Sequence, residues 1–367
     1  MLKKYHLKDF NFILLFLVII MMTIGIFVIN SVNSSFTFKQ AIGACVSIVI
    51  ILVLSFVDYH FILKFTIPAY IISIGLLVAV FLFGISTNNA RRWFKLGGIT
   101  FQPSELTKVA LIIVMAYFLS KKMEDEKINS LKTILIFIAI LIPPSALICR
   151  QPDLSTTLCI LMVMGAMLYL SGFSYKVIGI LLLIFIPLIS VFLWYVQQPD
   201  QKLLYAHQVE RIETFINPSE YADESRQQAN SIMAIGSGRL AGKGLSSDES
   251  STSTNMISEQ ETDFIFSAVG ESFGFIGSVI IIGIIFLIVI QCIRIGRRAK
   301  DDSGRLLAVG TGCLIGFQSF INIGVATKVL PNTGIPLPFV SYGLSSLLST
   351  AILIGIVLNV SLQKKQF

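Results

Sequence analysis

The sequence predicts an all-α integral membrane protein with ten transmembrane helices, and three observations carry that expectation. The chain of 367 residues is 54% hydrophobic and only 13% charged, about half the charge of an ordinary soluble domain. Its apolar residues fall in blocks of roughly 20, the length that crosses a bilayer core. Its basic residues are shared unevenly among the segments between those blocks. Together these exclude a soluble enzyme, a disordered chain and a collagen-like fibre. The five cysteines lie in or at the ends of apolar blocks without metal-ligand spacing, so neither a disulfide framework nor a zinc site is expected.

The spans are expected at 11–30, 41–57, 66–84, 105–120, 133–148, 155–171, 177–196, 264–293, 306–327 and 342–361. The first is too long for the apolar core of a signal peptide, and Asn30-Ser31-Val32-Asn33 offers no small-x-small cleavage site, so it reads as a retained anchor. With the N-terminus inside, sixteen basic residues fall in short inner segments: Lys3, Lys4, Lys8, Lys64, Lys121, Lys122, Lys127, Lys132, Lys176, Arg294, Arg297, Arg298, Lys300, Arg305, Lys364 and Lys365. Six fall outside: Lys39, Arg91, Arg92, Lys95, Arg150 and Lys328. That asymmetry predicts cytoplasmic N- and C-termini. The net charge of +7 is therefore a topology signal, and nucleic acid is not an expected partner.

The whole chain, 1–367, reads as one polytopic membrane domain without an internal repeat. Between helices seven and eight lies a large extracellular loop, 197–263, which holds eleven of the 21 acidic residues and five basic ones (Lys202, Arg211, Arg226, Arg239, Lys243). From Lys202 to Ile216, apolar residues recur near helical spacing, which predicts a helix lying on the membrane surface. A second helical stretch is expected from Gln227 to Ile235. The Ser/Thr run from Ser246 to Thr254 predicts a flexible tip.

Ionisable groups at bilayer depth are costly and mark candidate sites. Four acids lie in or against spans: Glu105, Asp153, Asp263 and Glu271. The first three are expected at the outer ends of their helices, near Arg91, Arg92, Lys108 and Arg150, with Glu271 about 12 Å deeper along its helix. In Gln102-Pro103-Ser104-Glu105-Leu106-Thr107-Lys108 the proline and serine start a helix, and Glu105 and Lys108 share one face. They form either a structural ion pair or a polar wall around a charged head group. Asp153, after Arg150-Gln151-Pro152, either caps the next helix or joins Arg150, which suits a phosphate oxygen. Asp263, in Glu261-Thr262-Asp263-Phe264-Ile265-Phe266, is either a cap favoured by the helix dipole or a general base at the lip of an apolar cavity. The stretch from Leu330 to Gly343, including Ser341, contains three prolines and two glycines. It cannot be helical throughout, and reads as a cavity wall or a tight outer turn.

In these motifs the chain resembles the SEDS family, the shape, elongation, division and sporulation proteins of the RodA/FtsW/SpoVE type. The resemblance spans almost the whole length. It rests on Arg91-Arg92-Trp93-Phe94, Gln102-Pro103-Ser104-Glu105-x-x-Lys108, Gln151-Pro152-Asp153-Leu154, Ala234-Ile235-Gly236-Ser237-Gly238, Thr262-Asp263-Phe264-Ile265-Phe266 with Gly270-Glu271, and the 330–343 segment. The chain departs from the common pattern at Ser155, Arg239, Ser272 and Leu344 while keeping its acidic positions.

The resemblance implies a ten-helix peptidoglycan glycosyltransferase of the bacterial cytoplasmic membrane. Its substrate would be lipid II, the disaccharide-pentapeptide on undecaprenyl pyrophosphate, and its partner a class B penicillin-binding protein. The family's essential acid falls on Asp263 and its polar cavity pair on Glu105 and Lys108. Asp263 is then expected as catalytic base. Arg91, Arg92, Lys108 and Arg150 are expected to neutralise the pyrophosphate, with a divalent cation (Mg2+ or Mn2+) as a further candidate. Asp153, Glu271 and Ser341 complete the expected substrate-binding set. Two other readings stay open at this point: a flippase for the same precursor, which needs a charged path to the inner leaflet, and a non-enzymatic scaffold.

Overall fold

The computed structural model describes residues 9–87, 90–96, 99–176, 222–245 and 257–363, with single residues at 179, 183, 187, 194, 195 and 214. Its helices are α1 (Phe12–Val32), α2 (Ser34–Phe56), the short α3 (Tyr59–Leu63), α4 (Thr66–Phe83), α5 (Pro103–Glu124), α6 (Leu131–Arg150), α7 (Leu154–Leu170), α8 (Ala222–Ser237), α9 (Ile265–Arg297), α10 (Asp302–Ala326) and α11 (Leu344–Leu362). Among the described residues, eight helices are long and apolar enough to cross a membrane, and α7 is a shorter apolar helix. The expected seventh span (177–196), the surface helix from Lys202 to Ile216 and the Ser246–Thr254 tip lie outside the described residues.

Local chemistry sets the helix starts. Asn11, Asn33, Ser130, Asp153 and Asp301 each accept a backbone N–H of the following turn, capping α1, α2, α6, α7 and α10. Pro103 sits in the first turn of α5, where its missing N–H costs nothing.

Burial then separates the helices by role. α5 and α11 are almost wholly enclosed, and α10 largely so. α2, α4, α6 and α9 leave most of their apolar surface exposed. Phe16, Ile67, Phe83 and Phe286 all project outward. Apolar area on that scale is stable only against lipid, and helices satisfy their own backbone there. The protein is thus a multi-pass membrane bundle with α5, α10 and α11 at its centre.

The structure adds two features to the helical plan. Residues expected as a plain outer loop form a small antiparallel sheet of β1 (Ile85–Thr87), β2 (Ala90–Leu96) and β3 (Ile99–Phe101). Ser86 pairs with Arg91, and Phe94 with Phe101. The β1–β2 register shifts there, Ile85 facing Trp93 and Ser86 facing Arg91, so Arg92 sits at a bulge, half-buried, while Arg91 is exposed.

The second feature is a break in α9. Gly274 there has φ 65°, and a Cβ on it would lie 2.4 Å from the backbone nitrogen of Gly242. The turn after α8 fills the gap in the helix ladder. Phe275 and Ile276 donate to the carbonyls of Arg239 and Leu240 (2.8 and 3.1 Å), while Lys243 and Gly244 donate to those of Glu271 and Ser272 (2.9 and 3.0 Å).

At the opposite end of the bundle from this break, Asp301 ties α3 to α10. Burial pushes its carboxyl up. Hydrogen bonds from the Gly304 N–H, Ser303, Tyr59 and His60 outweigh that and hold it below the ordinary value of 3.8. A depressed folded pKa means its stabilisation is complete above the unfolded value and is lost as pH falls through the folded one. Thermal unfolding in detergent should therefore show an acid-side loss of stability beginning near pH 3.8. Asp301→Ala should remove that dependence and cost about 1–2 kcal/mol at neutral pH through loss of the cap.

Candidate active site

At the end of the bundle where α5, α7 and α9 begin, a cavity of about 540 Å³ opens, a size typical of ligand sites. Asp263 borders it, positioned by backbone bonds. Glu259 adopts a left-handed conformation (φ 56°), and its carbonyl accepts the N–H groups of Thr262 and Asp263 (3.2 and 3.1 Å). This compact turn leads directly into α9, whose neighbouring Phe264 is fully buried and anchors it.

Asn322, Ser341 and Tyr342 stitch that turn to α10 and the segment that follows it. The side-chain amide of Asn322 donates to the carbonyls of both Asp263 (2.9 Å) and Ile335 (2.8 Å). The Ser341 hydroxyl donates to the Thr262 carbonyl (2.6 Å) and accepts the Leu337 N–H (2.8 Å). The Tyr342 N–H donates to the Glu261 carbonyl (2.8 Å). The Asp263 carboxylate meets Gly334, where a Cβ would lie 3.2 Å from Oδ2; φ there is 77°, so glycine serves both the conformation and the close approach. Asn332, Gly334, Pro336 and Tyr342 all border the cavity, so the 330–343 segment is its wall and not merely an outer turn.

The facing wall comes from β2, β3 and the starts of α5 and α7. Arg92 borders the cavity, donating from Nε to the Gln151 carbonyl (2.8 Å) and from Nη2 to that of Pro152. Asp153 caps α7, as one of its two readings expects, while Arg150 does not join it. Oδ1 caps α7 through the Thr156 N–H (3.1 Å), Oδ2 accepts Gln102 Nε2 (3.2 Å), and the residue lines the cavity. Ser345 joins this wall to α11 by accepting the Gln102 N–H (3.1 Å), and Ser155 donates to the Thr333 carbonyl.

The other expected residues lie elsewhere. Glu105 and Lys108 form a 2.8 Å ion pair, each about 3% exposed, within α5 and outside the cavity lining. Glu271, equally buried, pairs with Lys243 at 2.9 Å and secures the turn inserted into α9. Arg91 and Arg150 are exposed and do not line the cavity. Ser341 is buried and its hydroxyl is committed to backbone groups.

Residues that the sequence reading passed over matter as much. Glu259 adds a third carboxylate to the lining, Gln102 and Gln228 add amides, and Asn322 holds the site from below. Gln228 also bonds the carbonyls of Val325 and Leu330 (3.0 and 2.8 Å), closing the C-terminal end of α10. For Asn322 the available signal was an uncharged amide inside an apolar span; Gln102, Gln228 and Glu259 lie outside the spans, where polar residues are ordinary.

Known proteins with this arrangement are recognisable by sequence and by fold. The profile of the FtsW/RodA/SpoVE cell cycle protein family matches residues 6–366. The chain belongs to this family. Among FtsW/RodA/SpoVE relatives, the probable peptidoglycan glycosyltransferase FtsW of Trichlorobacter lovleyi is 33% identical over 98% of this chain and 95% of its own length. The peptidoglycan glycosyltransferase MrdB of Escherichia coli K12 is 34% identical over 81% of this chain and 77% of its own. Among solved structures, a chain from a peptidoglycan synthase complex that coordinates polymerisation and crosslinking superposes with a TM-score of 0.81 at 26% identity, covering 96% of this chain and 97% of that one. The rod shape determining protein RodA of Thermus thermophilus superposes at 0.71 with 25% identity, covering 98% of each chain. As a family member with this set of apolar helices, the protein is a multi-pass protein of the bacterial cytoplasmic membrane.

Two measurements probe this architecture. Asn322→Leu leaves two buried carbonyls without a donor, so thermal unfolding should show a loss of about 1–3 kcal/mol. Displacement of the Asp263 turn should lower activity by about 10²-fold. Lys108→Met, which strands the Glu105 charge, should cost about 3–5 kcal/mol. The double variant Glu105→Leu with Lys108→Met should recover most of that loss, since no charge is left unpaired.

Proposed function

We propose that this chain polymerises lipid II into glycan strands at the outer face of the membrane, with Asp263 as the catalytic base. The observation that carries the proposal is the Asp263 carboxylate at the wall of a polar cavity, on a turn held by Asn322 and Ser341. The acceptor sugar hydroxyl gives its proton to Asp263 as its oxygen bonds the anomeric carbon of the donor. The bond from that carbon to the pyrophosphate oxygen breaks with inversion, and undecaprenyl pyrophosphate leaves. General-base assistance of this kind is worth about 10²–10⁴-fold.

The leaving pyrophosphate needs positive charge more than a proton. Arg92 is the one cation among the described residues of the lining, so it takes that role here. Lys108 and Glu105 act indirectly, by pinning the start of α5 beside Gln102. Among the described residues, no three His, Cys, Asp or Glu side chains converge as metal ligands, and no step is assigned to a divalent cation. A flippase fits less well. Among the described residues, the ionisable side chains well inside the spans are Glu105, Lys108 and Glu271, each buried and ion-paired. They offer a translocating head group no continuous charged path. Pairing with a class B penicillin-binding protein, which the family resemblance implies, would pass the nascent strand to a crosslinking enzyme.

The test is purified protein supplied with labelled lipid II, with and without a cognate transpeptidase. Asp263→Asn should reduce glycan chains by about 10²–10⁴-fold with the thermal unfolding midpoint unchanged. Chains of normal yield from the variant would remove Asp263 from the base role.

A further inference from the structure

A second cavity, of about 420 Å³, lies at the end of the bundle remote from Asp263. It forms where the segment Asp9–Ile13 crosses the last turns of α9 beside Ser361. Its polar lining includes Arg294 and Arg298, four residues apart and so on one helix face, with the carboxylate of Asp9 as the opposing charge. Both arginines are exposed, and among the described residues neither forms an ion pair. The favourable interaction of a cation with a helix C-terminus explains arginines at this position. It does not explain the amide beside them. Gln291 is 6% exposed, its Oε1 accepts Asn11 Nδ2 at 3.2 Å, and its Nε2 has no hydrogen-bond partner among the described residues. That nitrogen is not enclosed by protein and lines the cavity, where it is open to a ligand oxygen.

The remaining wall is apolar. Phe10, Phe12 and Ile13 border the cavity, and Phe12 and Ile13 are more than half exposed on the lipid-facing flank of α1. A ligand for this place is an amphiphile with an anionic, oxygen-rich head: guanidinium groups match phosphate oxygens, and the aromatic flank matches an acyl chain. We propose that this pocket holds the phosphodiester head group of an anionic membrane lipid, with Arg294, Arg298 and the Gln291 amide as its donors.

The experiment is native mass spectrometry of the full chain in neutral detergent, titrated with phosphatidylglycerol and with phosphatidylcholine of matched chains. Phosphatidylglycerol should bind more tightly. Arg294→Gln with Arg298→Gln should weaken it about 30-fold, the loss of two juxtamembrane cations. Arg297→Gln with Lys300→Gln removes the same charge outside the cavity and should leave binding within about twofold of the parent protein. Millimolar inorganic phosphate should not displace the lipid. Equal binding of the two lipids would overturn the proposal, as would equal weakening by both double variants. Displacement by inorganic phosphate would assign the pocket to a soluble phosphate instead of a lipid.

Discussion

Broken backbone at membrane depth is the constraint around which this protein is arranged. A helix in lipid satisfies its own N–H and C=O groups, and any interruption leaves polar atoms that water cannot reach. The chain is interrupted twice near its polar end, at Gly274 and along 330–343. In the first case the turn after α8 supplies the missing donors and acceptors to α9. In the second, Asn322, Ser341 and Gln228 do so with side chains. Each interruption is thereby tied to a neighbouring element, and the second gives the cavity a fixed wall.

That arrangement also explains how an acid can be aimed at a lipid boundary. The Asp263 main chain is held by the Glu259 carbonyl and by Asn322, so its side chain starts from a defined place. Catalytic groups lose rate steeply with small misplacement, and a turn secured by backbone bonds resists it better than a surface loop does. The buried ion pairs do different work. Glu105–Lys108 takes two charges out of contact with the medium, and Lys243–Glu271 buries the acid while leaving the lysine partly exposed; burying charge is costly and is kept only where geometry is good. Their positions, inside α5 and across the α9 break, suit them to holding helices and leave the cavity lining to Arg92, Asp153, Glu259 and Asp263.

How far the site could be read in advance differs residue by residue. Asp263, Asp153 and the wall from Asn332 to Gly343 were visible because acids, prolines and glycines beside an apolar span violate the membrane's preferences. Glu105 and Lys108 were visible as a pair because three residues of helix bring them together. Arg91 and Arg92 could not be told apart without the strand that turns one outward and the other toward the cavity. Arg150 lies three residues from Asp153 in sequence, yet the cap of α7 faces the site and Arg150 does not. Asn322 and Gln228 carry no charge, so their importance rests on carbonyls contributed by segments far away in sequence.

By itself the sequence determined the membrane class, the approximate spans and the few places where the chain resists being a plain helix. Those are properties of composition and spacing, summed along one dimension, and hydration energy responds to them directly. Tertiary structure alone decided which polar groups satisfy one another, which cation reaches the cavity and which acids are locked in ion pairs. Hydrogen bonds and ion pairs depend on distances of about 3 Å between atoms, and those distances exist only once helices far apart in the chain have packed together.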